Sequence, residues 1–177
     1  MTKPKRRYTL RAVEFNGLWI GMDTGFSNIL AEEVLKQRLV PGLHNYDTLA
    51  MERHVKEGLR VDFSLTGPDG KCFVEVKSAT VVDKRVARFP DSVTPRSVRQ
   101  LEWLTGRVAS VDRAVLLHII QREDVEAFTI NWTHSSLYAE AFKEAFPVSP
   151  SAFSFRHNFA HGARVHHGTL RTQTELG

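Results

Sequence analysis

Residues 60–80, RVDFSLTGPDGKCFVEVKSAT, constrain the fold more than any other stretch. Val61, Phe63 and Leu65 alternate with polar neighbours. After Gly67-Pro68-Asp69-Gly70, Cys72, Val74 and Val76 alternate with Phe73, Glu75 and Lys77. Period-2 alternation on both sides of a turn is the pattern of a hairpin with one buried face. Pro68 presets φ, Asp69 bonds its own backbone, and glycine tolerates positive φ. A one-residue slip would turn one apolar set outward, so the register is fixed by the requirement that both sets share a face. Val61 is then expected opposite Val76, Phe63 opposite Val74 and Leu65 opposite Cys72, which sets Asp62 across from Glu75 and Arg60 across from Lys77.

Two carboxylates opposed across a strand pair repel each other, and one of them would take a raised pKa. A hard divalent cation removes the penalty, because Mg²⁺ is held by one or two carboxylates plus waters and phosphate oxygens. The spacing Glu75-x-Lys77 puts an ammonium on the same side, where it can hold an attacking water. That set is what metal-assisted phosphodiester hydrolysis requires. The alternative for Arg60, Asp62, Glu75 and Lys77 is a solvated face stitched by ion pairs.

The rest of the chain narrows the choice. A length of 177 residues with 42% hydrophobic and 25% charged content fits a single core-forming domain with tails. No apolar run is long enough for a membrane span, and the N-terminus lacks a signal peptide's apolar segment. One cysteine, Cys72, excludes an intramolecular disulfide and suits a reducing cytoplasm. Net charge is only +4 but unevenly spread. Lys3, Lys5, Arg6, Arg7 and Arg11 precede the first acid, and Lys84, Arg85, Arg88, Arg96 and Arg99 crowd a second window holding only Asp91. Clusters of this kind suit a polyanion.

In chain order, Asn16-Gly17 marks a hairpin between short runs at 8–15 and 18–22. A helix is expected over 27–39, capped by Ser27 and stopped by Pro41-Gly42. Residues 48–56 read as a weakly patterned strand, and 81–93 as a basic loop. Thr94-Pro95 opens a helix to about Val108. The run 114–120, AVLLHII, is apolar throughout, as in a strand buried on both faces, and His118 within it reads as a core histidine. A strand over 125–130, a helix over 135–146 and a short strand over 152–156 follow. His157, His161, His166 and His167 beyond or near its end read as part of a solvated tail rather than a metal site.

The expected order, helix, three strands, helix, buried strand, is that of the restriction-endonuclease-like nucleases. The resemblance goes further. RVDF, FVEVKSAT, RFPDSVTPRSVRQLEWL and WIGMDTGFSNILAEEVL together resemble the sugar fermentation stimulation protein family over about residues 15–156. The resemblance implies an α/β (α+β) fold with an α-β-β-β-α-β core and a central mixed sheet flanked by helices. Within it, 1–25 is expected to be a basic arm and β segment left from an oligonucleotide-binding barrel or a linker, 26–157 the nuclease-like domain and 158–177 a disordered tail. It makes Asp62 and Glu75 metal ligands and Lys77 the catalytic lysine, with the carbonyl of Val76 completing a Mg²⁺ or Mn²⁺ site and Glu33 a further metal-shell carboxylate. Arg85, Arg88, Arg96, Arg99 and Gln100 are the expected nucleic-acid contacts; Gln100 stands where the family often carries a histidine. The implied protein is cytoplasmic, binds DNA or RNA and no membrane, and hydrolyses phosphodiesters with a link to sugar metabolism. The competing reading is a non-catalytic, sequence-nonspecific DNA-binding regulator on the same fold. A homodimer is left open.

Overall fold

A computed structural model of the chain describes residues 8–56, 59–92, 95–108, 113–132, 136–145, 149–156, 166–169 and 171–173. The chain begins with a hairpin, β1 (Ala12–Phe15) and β2 (Leu18–Gly21), followed by helix α1 (Thr24–Lys36). Strands β3 (Thr48–Lys56), β4 (Leu59–Gly67) and β5 (Gly70–Ser78) form a meander, and a second hairpin joins β6 (Val81–Asp83) to β7 (Val86–Phe89). Helix α2 (Pro95–Val108) leads to β8 (Arg113–Ile120) and β9 (Ala127–Ile130). Helix α3 (Ser136–Glu144), β10 (Ser149–Arg156), β11 (His166–Thr169) and β12 (Arg171–Gln173) complete the described elements.

The central sheet is mixed and six-stranded, in the order β11-β10-β8-β5-β4-β3. The β3–β4–β5 part is antiparallel, whereas β5, β8 and β10 run parallel. The α-β-β-β-α-β order is therefore present, with the β6–β7 hairpin inserted before α2. A smaller sheet, β12-β9-β7-β6, covers part of one face. As its unbroken apolar sequence requires, β8 lies inside the central sheet and buries side chains on both faces. Val115, Leu117 and Ile119 join Leu30, Ala31 and Val34 of α1. Ala114, Leu116 and Ile120 join Leu101 and Leu104 of α2 and Tyr138 and Phe142 of α3. His118 is fully buried between the rings of Phe89 and Phe128, at 5.2 and 4.3 Å between centroids. Among the described residues no helix is long and apolar enough to cross a membrane.

Several expectations are corrected. Helix α1 starts at Thr24, because the Asp23 carboxylate accepts from the Gly25 amide at 2.9 Å. Ser27 is buried instead of capping, its hydroxyl accepting from Gln121. The helix ends before Pro41-Gly42, at a Gln37 cap followed by Arg38 with φ 56°. The basic 81–93 loop is largely the β6–β7 hairpin; its two turn residues, Lys84 and Arg85, both hold positive φ, 47° and 67°. The tail over 158–177, expected to be disordered, supplies β11 beside β10 and β12 beside β9, with His166 and His167 in β11. Thr94, Ser135, Phe146, His157 and His161 lie outside the described residues.

Candidate active site

The hairpin register is the one the apolar pattern requires: Phe63 pairs Val74, Leu65 pairs Cys72, and Gly67 pairs Gly70 around a two-residue turn. At the other end the ladder stops at Phe63–Val74, so Val61–Val76 is not a ladder pair. Alternation in β4 fails at the same point. Val61 packs in the α2-side core, whereas Phe63 and Leu65 pack in the α1-side core with Val74 and Val76 of β5. Asp62 occupies the break, and one carboxylate oxygen accepts the Val76 amide proton at 2.8 Å. A side chain thus replaces a backbone partner where the strands part. In a strand, the N–H and C=O of one residue point to the same edge. The Val76 carbonyl consequently faces the gap that holds the Asp62 carboxylate.

The other oxygen of Asp62 accepts from the Asn28 side-chain amide at 3.1 Å, so α1 fixes the carboxylate from above the sheet. Glu75 and Lys77 point to the α2 side, and Lys77 Nζ donates to Glu75 Oε1 at 2.8 Å and to Gln100 Oε1 at 2.9 Å. Glu75 is only 4% exposed, and its second oxygen is buried without a hydrogen-bond partner among the described residues. Burial pushes the Glu75 carboxyl from 4.5 up to about 7; the Lys77 ammonium opposes that rise, and the Asp62 charge adds to it. These groups are close enough to feel one another.

An orphaned, buried carboxylate oxygen beside a second carboxylate and an outward-facing backbone carbonyl is an all-oxygen donor set. It fits a hard cation that keeps several waters, Mg²⁺, Mn²⁺ or Ca²⁺, better than a soft one. Among the described residues no group of three His, Cys, Asp or Glu side chains converges on one point. The set is two carboxylates and a carbonyl.

The remaining expected residues divide. Arg96, exposed at the start of α2, is near enough for its charge to act on Glu75, and Arg99 is exposed on the same helix. Arg85 pairs with Glu126 at 2.6 Å and Arg88 with Asp83 at 3.4 Å, both on the smaller sheet. Gln100 is buried at 5% exposure, which removes it from the surface contacts expected of it. Glu33 is exposed, and its carboxylate accepts from Gln37. It projects about 140° around the helix from Asn28, so the face of α1 that meets Asp62 does not carry it. Sequence reading missed Asn28 as a site residue, because with Ser27 read as the cap it fell in the first turn of the helix. Asp91 accepts from Thr80 at 2.9 Å, while Asn131 bonds the Pro90 and Phe89 carbonyls. The segment entering α2 is thereby pinned to the strand end carrying Lys77.

Residues 25–158 match the family model described as the sugar fermentation stimulation protein RE domain. Sugar fermentation stimulation protein homologs of Brucella ovis and Brucella suis are 36% identical to the chain over 157 residues, which covers 86% of it. The chain spans 66% of the length of these relatives. The solved structure of Pyrococcus furiosus SfsA in complex with Ca²⁺ superposes with a TM-score of 0.86 at 24% identity, covering 98% of this chain and 75% of that one.

Proposed function

The chain belongs to the sugar fermentation stimulation protein family, and from that premise we propose that it is a nucleic-acid-binding protein with a divalent-cation-dependent phosphodiesterase site. The observation carrying this reading is the parting of β4 and β5 at Asp62. There the Asp62 carboxylate accepts the Val76 amide proton, and buried Glu75, its second oxygen unpartnered, lies near enough for the Asp62 charge to act on it. Asp62, Glu75 and the Val76 carbonyl would hold the cation; a family relative that takes Ca²⁺ supports an oxygen-ligated ion of that class. A bound cation supplies Lewis-acid polarisation of a phosphate oxygen and a water of lowered pKa.

The protein's own groups do the rest. Asn28 holds the orientation of Asp62. Lys77, anchored to Glu75 and Gln100, keeps a third N–H for the attacking water or a phosphate oxygen. Arg96 and Arg99 meet flanking phosphates, giving affinity that depends on salt and little on base sequence. A nonspecific nuclease or nucleic-acid sensor of this type, working in the cytoplasm, is the proposed link to sugar metabolism.

The test is cleavage of single- and double-stranded DNA and RNA with Mg²⁺ or Mn²⁺, stopped by a chelator. Asp62→Asn and Glu75→Gln keep size and hydrogen bonding but remove ligand charge, and each should lower the rate about a hundredfold or more. Lys77→Ala should be as inactive yet still bind the cation. Cleavage that survives Asp62→Asn would place the activity elsewhere. Binding without cutting under every condition would leave the non-catalytic DNA-binding alternative.

A further inference from the structure

We propose that Gln100 is a positioning residue that fixes the Lys77 ammonium in the candidate site and ties that hold to β4 two residues before Asp62. Gln100 lies in α2, one helical turn beyond Arg96, and is buried at the seam between the helix and the parted strands. Its Oε1 accepts from Lys77 Nζ at 2.9 Å, and its Nε2 donates to the Arg60 carbonyl at 3.4 Å. One amide therefore spans the opening between β4 and β5 at the level of the site.

The amide can sit only one way round. Lys77 has donors alone and the Arg60 carbonyl is an acceptor alone. Turning the amide over would set its NH₂ against the ammonium and its oxygen against a carbonyl. A lysine stem has four methylene carbons and is rich in rotamers, so one contact does not fix its ammonium. The bond to Glu75 at 2.8 Å sets a distance but leaves the ammonium free to swing about it. A second acceptor, held by its own contact with β4, sets the direction as well and leaves the third N–H defined.

The inference rests on the phosphodiesterase reading for its kinetic consequence but not for its structural one, so the test has two arms. In the first, amine acetylation of the folded 177-residue chain is quantified by mass spectrometry, with exposed Lys36 and Lys143 as internal references. Gln100→Met keeps the length and removes the acceptor, and should raise Lys77 labelling severalfold. Gln100→His, which restores an acceptor nitrogen of similar reach, should bring it back toward wild type. In the second arm, Gln100→Met should lower kcat about ten- to a hundredfold, the usual cost of losing an outer-shell partner, with KM unchanged within twofold and recovery in Gln100→His. Unchanged Lys77 labelling in Gln100→Met overturns the positioning role, as does a loss confined to KM or to melting temperature. A wild type that never cuts sinks the phosphodiesterase reading alone, and the labelling arm still decides the inference.

Discussion

At Glu75, burial and charge pull against each other, and the result is a measurable pH dependence. Its carboxyl titrates at about 7 in the folded chain, raised chiefly by burial from 4.5. Between those values the folded state keeps a proton that the unfolded state has released. The resulting stability is fully present below about pH 4.5 and is lost as the pH rises through 7. The loss is at most about 1.4 kcal/mol per pH unit for one proton. Urea melts of the cation-free protein from pH 4.5 to 8 should show this decline, and Glu75→Gln should remove it. Equal slopes in the two proteins would mean that the carboxyl is not buried as described. The charge that costs stability also attracts a cation, so added Ca²⁺ should raise the melting temperature more at pH 8 than at pH 6. Glu75 and Lys77 were legible from alternation because β5 keeps strict period 2. Asp62 was legible in identity but not in setting, since no local pattern announces that β4 breaks beside it. Glu33 shows the opposite failure: the family resemblance implied a metal-shell carboxylate, and helical rotation sets it away from the face of α1 that meets Asp62.

Helix α2 joins the site to its proposed partner. Pro95 and the apolar spacing of Val98, Leu101 and Leu104 made its start and buried face readable. Its exposed Arg96 and Arg99 have a quantitative consequence. Each phosphate neutralised on duplex DNA adds about 0.9 to the slope of log affinity against log salt. Replacing both with alanine should therefore shallow that slope by up to about 2 in a filter-binding series across 50–200 mM salt. An unchanged slope would assign them to solubility. The β6–β7 hairpin teaches the reverse lesson. Lys84 and Arg85 adopt left-handed conformations normally marked by glycine or asparagine, so no turn signal preceded β7. Because Arg85 and Arg88 are already paired with Glu126 and Asp83, substituting them should alter the salt slope less than the α2 pair.

One central sheet serves two cores, and the site lies where two of its strands separate. Alternate residues of β8 enter the α1-side and α2-side clusters, so neither core can loosen without disturbing the strand they share. That arrangement was readable from AVLLHII alone. The smaller sheet over one face was not, since its strands are short, and β12 comes from a polar segment whose pairing depends on distant β9. A shared strand predicts one cooperative thermal transition. Leu117→Ala removes a fully buried side chain from one core, and Leu116→Ala removes its neighbour, 1% exposed, from the other. Each should cost about 2–5 kcal/mol. For a domain of this size that is a fall of roughly 4–20 °C in Tm. Both variants should still melt in one step and cleave at a near-normal rate well below their Tm. Asp62→Asn should do the converse, losing cleavage with little change in Tm, because its amide oxygen can still accept from Val76 while its NH₂ donates to the Asn28 side-chain oxygen once that amide turns over. Calorimetry alongside cleavage assays separates these outcomes. Two resolved transitions in the wild type, or a Leu117→Ala shift confined to one of them, would show that the cores unfold separately and that β8 does not couple them.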